Sequence, residues 1–424
     1  MKADYASSET DNGALTTHPV AQIDPVPRVS IQAFCESPDI AAIVNAAISD
    51  RRMAKAHFKQ NMGGTPAAIE AFKDASTPNV VVLEAPQSRS ALLEQLEELA
   101  HYCDAGTKVV VLGKLNDIVL YRQLIARGVN EYLVMPFGVV DFVQAISHLF
   151  GVPGSKPLGR VVAVVGAKGG VGASTVAHNL AFTLASVTDM ATVIADLDLA
   201  FGTAGLDFNQ DPAQGIGDAV FAPERVDAVL VDRLLSKCGA NLSLLAAPAT
   251  LDRILDFSET SFDSLLDAMR ASTPWIVLDV PHLWSGWARK ILISADDVVV
   301  VASPDLANLR NAKNLIDNIK SARPHDHPPR LVLNGVGMLK RPEIAAAEFA
   351  KAVETGPTSV IPHDAKLFGA AANNGQMIAE IEANGKTAEI FAQLASELAG
   401  RAHLRKPRRG VLDPLIAKLG RKRK

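Results

Sequence analysis

Apolar residues in this chain fall in short runs separated by longer amphipathic stretches. Runs at 29–34, 80–83, 109–112 and 132–134 alternate with helical patterns such as 91–102 and 119–127. After a Gly/Pro-dense break, further runs occur at 160–165, 192–195, 243–246, 275–278, 297–301 and 330–333. Short, continuous apolar strands alternating with helices predict parallel sheets covered by helices on both faces, so the fold class is α/β. The two series predict two domains, 28–150 and 160–399, joined by a linker over 151–159. Residues 1–27 are polar, proline-bearing and aperiodic, and read as a disordered arm. Residues 400–424 form a basic, amphipathic tail. No apolar run is long enough to span a bilayer.

The second series carries the chemistry. Arg160-Val-Val-Ala-Val-Val165 runs into Gly166-Ala-Lys-Gly-Gly-Val-Gly-Ala-Ser-Thr175, and a helical pattern follows over 176–185. Strand, glycine loop, helix is the setting of a phosphate-binding loop. The glycines let backbone N–H groups close around phosphate oxygens, and the helix N-terminus adds partial positive charge. Written as G-x-x-x-x-G-K-[ST], the pattern starts at Ala167 and puts Ala173 where lysine is expected. Ser174 keeps the hydroxyl suited to Mg²⁺, and Lys168 supplies a lysine earlier in the run. Downstream, the run 192–195 leads into Asp196 and Asp198. Acids at the carboxyl end of a strand line the crevice where α/β folds bind ligands. Trp275-Ile-Val-Leu-Asp-Val-Pro281 has the Walker B form, with Asp279 able to reach the Mg²⁺ shell directly or through water.

Charge separates body from tail. Residues 400–424 carry ten Lys/Arg and one acid, a net +9, while the whole chain has −4, which leaves −13 on the rest. An acidic body argues against broad nucleic-acid binding, and a basic tail suits an anionic surface. Asp413-Pro414 reads as a helix start, with Leu415, Ile416 and Leu419 on one face. Membrane contact through this tail is therefore an expectation, beside the plainer reading of a solvated basic segment. Cys35, Cys103 and Cys238 are scattered without metal spacing and read as small buried hydrophobes in a reducing cytoplasm.

Lys168-Gly-Gly-Val-Gly172 resembles the deviant Walker A signature of the MinD/ParA-like dimeric ATPases. The resemblance implies ATP with Mg²⁺, the nucleotide held by Lys168, Gly169, Gly170, Val171, Gly172, Ala173, Ser174 and Thr175. It implies a homodimer with ATP at the interface, in which Lys168 reaches the partner's nucleotide. Asp198 would position or deprotonate the attacking water, Ser174, Asp196 and Asp279 would serve the metal, and Asn334 would bond adenine or merely cap its strand. Loss of one preorganised charge costs on the order of 10²–10³ in rate. With Ala173 in the lysine position, hydrolysis is expected to be slow, or ATP serves as a clamp.

The first series resembles a response-regulator receiver domain, through Asn130-Glu-Tyr-Leu-Val-Met-Pro-Phe137. An active receiver needs an acidic pair, a phosphoacceptor Asp, a Ser/Thr and a Lys. Here Glu36, Glu84, Gly113 and Met135 stand near those places, which implies a receiver-like domain that takes no phosphate and serves docking or dimerisation. An unrelated flavodoxin-like domain is the other reading.

A receiver-like domain ahead of such an ATPase, together with Lys168-Gly-Gly-Val-Gly-Ala-Ser-Thr-Val-Ala-His-Asn179, Asp196-Leu-Asp-Leu-Ala-Phe-Gly-Thr-Ala-Gly-Leu-Asp207 and Ile361-Pro-His-Asp-Ala-Lys-Leu-Phe-Gly-Ala-Ala-Ala-Asn-Asn-Gly-Gln376, is similar to the CpaE/TadZ group of Flp (Tad) pilus assembly proteins. That resemblance implies a cytoplasmic protein peripheral at the inner membrane, with a polar position among the expectations. Its implied partners are the pilus secretion ATPase and inner-membrane platform proteins. A MinD-like membrane regulator and a ParA-like partitioning ATPase are the competing readings. An iron-protein-like reductase is excluded, because Cys238 has no paired cluster cysteine.

Overall fold

The structure is a computed structural model that describes residues 23–86, 88–151, 157–248, 251 and 255–401. Most of the expected arm, much of the expected linker and the basic tail from residue 402 lie outside the described residues. The chain divides into two compact units, Met1–Gly151 and Val152–Lys424.

In the first unit, β1 (Ser30–Cys35), β2 (His57–Met62), β3 (Val80–Glu84), β4 (Lys108–Gly113) and β5 (Glu131–Val134) form one sheet. Their order is β2-β1-β3-β4-β5, every neighbouring pair is parallel, and the doubly wound flavodoxin-like order results. Successive side chains on a strand alternate faces. Val80 and Val82 therefore pack with Ile40 and Phe142 on one side. Val81 and Leu83 pack with Leu92 and Leu120 on the other. Strand β2, with the sequence His-Phe-Lys-Gln-Asn-Met, has no buried position. It lies at the sheet edge, and no apolar run announces it.

The second unit holds β6 (Arg160–Gly166), β7 (Thr192–Asp196), β8 (Ser236–Lys237), β9 (Leu242–Leu245), β10 (Trp275–Val280), β11 (Asp297–Ala302), β12 (Arg330–Val336) and β13 (Pro357–Pro362). Their order is β13-β12-β11-β6-β10-β7-β9-β8. All pairs are parallel except β8 with β9. Val161, Ala163 and Val165 of β6 face a core shared with the helices Gly286–Ser294 and Leu306–Ala322. Val162 and Val164 face the opposite core, built with the helices Ala173–Thr188 and Lys386–Leu398. No helix among the described residues is long and apolar enough to cross a membrane.

Candidate nucleotide site

Strand β6 lies between β10 and β11 and delivers the glycine loop at its carboxyl end. The chain leaves Gly166, loops through residues 167–172 and enters the helix Ala173–Thr188. The turn needs left-handed backbone at Gly170, with φ 78°, and at Gly172, with φ 82°. Glycine adopts that region without the steric cost of a Cβ. Gly172 meets a second demand, because a Cβ there would sit 2.5 Å from Nδ2 of Asn334.

Three side chains grip the loop's carbonyls. Nδ2 of Asn334 donates to Val171 at 2.8 Å. Nδ2 of Asn311 donates to Ala167 at 3.0 Å. Nδ1 of His282 lies 2.9 Å from the Gly166 carbonyl. Asn334 therefore braces the loop through its amide donor, and its oxygen is the group it can still offer to a ligand. Lys168, Gly169 and Gly170 are exposed, while Ala173, Ser174 and Thr175 are half-buried. Lys168 acts on Asp305, the N-cap of the helix Leu306–Ala322. Burial would raise the Asp305 carboxyl, but hydrogen bonds from Asn308, the charge of Lys168 and the Ala307 N–H hold it below the usual carboxylate range.

Strand register brings the acids together. Asp196 ends β7, and its direct partner on β10 is Asp279. In a parallel pair, partnered residues point to the same face. That face carries Ile194, Val277 and the loop helix. Asp196 is fully buried and Asp279 nearly so. Burial and then the neighbouring Asp279 push Asp196 up to about 7, although the N–H of Ala204, the charge of His178 and the N–H of Asp198 pull the other way. The loop 197–203 wraps over Asp196, whose oxygens accept from Asp198 at 3.0 Å and from Ala204 at 3.1 Å. Gly202 makes this possible, since a Cβ there would run into the Asp196 carboxylate.

Asp198 is half-buried in that loop. Its Oδ1 accepts the Phe201 N–H at 3.0 Å, and its carbonyl accepts the Gly202 N–H at 2.7 Å. His178 lies one helical turn beyond Ser174, on the same helix face. It is fully buried, with Nδ1 2.7 Å from Oδ2 of Asp207 and Nε2 3.5 Å from Oδ2 of Asp279. Burial alone would lower its pKa. The two carboxylates outweigh burial and raise it to about 9. At 3.5 Å the Asp279 contact is one of charge, so Asp207 is the partner that fixes the ring.

The structure thus gathers the loop 166–175, Asp196, Asp279 and Asn334 at one end of the sheet, with Asp198 in the loop just beyond. A hydroxyl and two carboxylates are hard oxygen donors of the kind that suits Mg²⁺. The nucleotide's phosphates and water would supply the rest of its shell, and a dication would relieve the repulsion between Asp196 and Asp279. Sequence reasoning missed Asn311, Asp305, Asp207 and His178. The i, i+4 spacing of Ser174 and His178 could have flagged the histidine. Asn311 and Asp305 carry no local signal, because their role depends on where their helix packs.

The first unit has its own pocket at the carboxyl ends of β1, β3 and β4, lined by Glu36, Glu84 and Gly113 among others. Glu84 is buried and accepts the N–H groups of Glu36 at 2.7 Å and Ser37 at 2.8 Å. Its carboxylate therefore ties β3 to the turn after β1. Tyr132 lies against Gly113, with its hydroxyl bonded to the Leu115 carbonyl at 2.9 Å.

Residues 159–330 match a family model described as an AAA domain. The septum site-determining protein MinD of Helicobacter pylori is 29% identical over 257 residues, which cover 57% of this chain and 90% of that protein. The solved pilus assembly protein CpaE of Caulobacter crescentus is 41% identical, over 31% of this chain and 100% of that one, with a TM-score of 0.30. This chain belongs to the MinD/ParA-like ATPases of the CpaE type. Its sequence identity to the CpaE structure carries that assignment, and the receiver-like first unit of this CpaE-type chain agrees with it. The MinD of Pyrococcus horikoshii, solved in complex with Mg-ADP, shares the fold of the ATPase unit. It is 19% identical, over 57% of this chain and 96% of that one, with a TM-score of 0.51.

Proposed function

We propose that this CpaE-type chain binds ATP with Mg²⁺ at the loop 168–175 and dimerises around the nucleotide, as an assembly or localisation factor of a Flp (Tad) pilus machine. The observation that carries the reading is the in-register pair Asp196 and Asp279, set on the same face as the glycine-loop helix. Residues 168–175 cradle the phosphates, and Ser174, Asp196 and Asp279 hold the metal. Asn334 presents its oxygen toward the base while its amide braces the loop. The bound metal supplies charge neutralisation on the phosphates. Lys168 is exposed, its charge acts on Asp305, and no burial confines it to its own subunit. It acts on the partner's nucleotide, and Asp198 orients the attacking water. Hydrolysis is slow because Ala173 offers no charge.

The partners are the pilus secretion ATPase and inner-membrane platform proteins, met by a cytoplasmic protein held peripherally at the inner membrane. Sedimentation with and without Mg-ATP tests the core of this reading. A shift to twice the mass with Mg-ATP, lost in Lys168→Ala, is the expected result, and a single unchanged mass would sink it. Turnover should fall below the common range of ~1–10³ per second, and Asp198→Ala should abolish it while leaving binding. The MinD-like reading, a membrane-bound regulator placing another machine, is favoured by the match to 90% of the Helicobacter pylori protein. Capture of division rather than pilus components by the full chain would select it.

A further inference from the structure

The imidazole of His178 is a fully buried polar side chain beside the site. It lies on the loop helix, four residues after Ser174. One ring nitrogen meets Asp207 at 2.7 Å, and the other faces Asp279 at 3.5 Å with no hydrogen-bond partner. The ring is 1% exposed, so water does not compete for either nitrogen. Phe208 packs beside it, with ring centroids 5.5 Å apart. Asp207 ends the short helix Ala204–Asp207, which starts where Ala204 donates to Asp196. Thus one end of the segment 196–207 is tied to Asp196 and the other, through His178, faces Asp279. An aliphatic side chain at 178 would fill the space but leave the Asp207 carboxylate without its ring partner and Asp279 facing no nitrogen.

We propose that His178 is a positioning residue that orients the Asp279 carboxylate and couples it to the segment 196–207. The side chain touches neither phosphate nor reacting water. It fixes Asp279 for the metal from behind, as outer-shell partners of metal ligands do. Through Asp207, movement of the segment 196–207 reaches Asp279 without passing through the nucleotide. This inference rests on the reading of the site as a Mg²⁺–nucleotide site.

Two amide substitutions separate the two ends of the ring. His178→Asn places its amide near the position of Nδ1 and retains the bond to Asp207 without reaching Asp279. His178→Gln reaches toward Asp279 and gives up the Asp207 geometry. Binding of a fluorescent ATP analogue to the full chain is titrated in EDTA and then against Mg²⁺, with hydrogen exchange read over residues 197–208. For His178→Asn, affinity in EDTA should match the wild type, while the Mg²⁺ needed for half-effect rises about tenfold or more. His178→Gln should recover the wild-type Mg²⁺ requirement but lose the Mg²⁺-dependent protection over 197–208. A merely structural histidine would lower melting temperature and EDTA affinity together, and that result overturns the proposal. So does an unchanged Mg²⁺ requirement in His178→Asn with nucleotide bound. If His178→Asn does not fold, a raised Mg²⁺ requirement in His178→Gln, equal to its loss in EDTA, likewise overturns it. Absence of nucleotide binding by the wild-type chain instead overturns the underlying reading of the site.

Discussion

Single residues at the site are chosen by what surrounds them more than by a general need for flexibility. Gly202 is required because the loop must pass directly over the Asp196 carboxylate. Gly202→Ala should therefore displace the loop from Asp196. It should cost about 1–3 kcal/mol in denaturant unfolding and weaken Mg-nucleotide binding. An unchanged midpoint would mean that the loop relaxes freely. The cysteines offer a second test at this scale. Burial first, then Glu84, pushes the Cys35 thiol up to about 11. Burial pushes Cys238 to about 11 as well, against a hydrogen bond from the backbone of Leu244. Cys35 is buried, while Cys103 and Cys238 are only partly so. Because the thiolate is the nucleophile, Cys35 and Cys238 should react slowly with a disulfide reagent at pH 8 in the folded chain. Unfolding should release a rapid phase, and fast native labelling at either position would contradict the burial argument.

Elements carry the next level of meaning. The carboxyl end of β3 in the receiver-like unit holds Glu84, and that carboxylate is already engaged by two backbone N–H groups. A group so engaged serves to tie the turn after β1 to β3, and its longer side chain is poorly placed to accept phosphate. Incubation with a small phosphodonor should add no mass to the intact chain. Glu84→Ala should cost about 1–3 kcal/mol, because two donors lose their partner in a half-buried turn. A phosphorylated species mapping to Glu36 or Glu84 would reverse this view. On the helix Ile118–Ala126, Ile118, Val119, Tyr121 and Ile125 are exposed. An apolar face of this sort suits the docking role expected of the unit.

At the scale of the molecule, the chain holds two α/β units, and its last 25 residues are strongly basic. The ATPase unit holds the candidate site. The basic tail lies outside the described residues, so its test rests on composition. Each basic residue near an anionic bilayer contributes up to about 1 kcal/mol, and a few apolar side chains add a second signal. Deleting residues 405–424 should release the chain from anionic liposomes without changing nucleotide binding. Two tails brought together by dimerisation should bind more tightly than one, so Mg-ATP should strengthen the association. Equal co-sedimentation of full-length and shortened chains at low salt would leave the tail a solvated segment.

The sequence by itself determined the α/β class, the strand–loop–helix at 160–185 and the acids worth watching, because those depend on local periodicity and on residue types at short spacing. Buried parallel strands such as β3, β10 and β11 are continuous apolar runs and were legible. Strands β2 and β13 were not. The first is a polar edge strand, and the second is bounded by Pro357 and Pro362 at an edge. Only the tertiary structure decided that Asp196 and Asp279 are direct partners, since the order of β10 and β7 around β6 is set by long-range packing. It also decided that Asn311, from a helix more than a hundred residues downstream, grips the loop, and that His178 stands between Asp207 and Asp279. No local pattern encodes such contacts: side chains meet there because helices packed on both faces of one sheet converge at the carboxyl ends of the same strands.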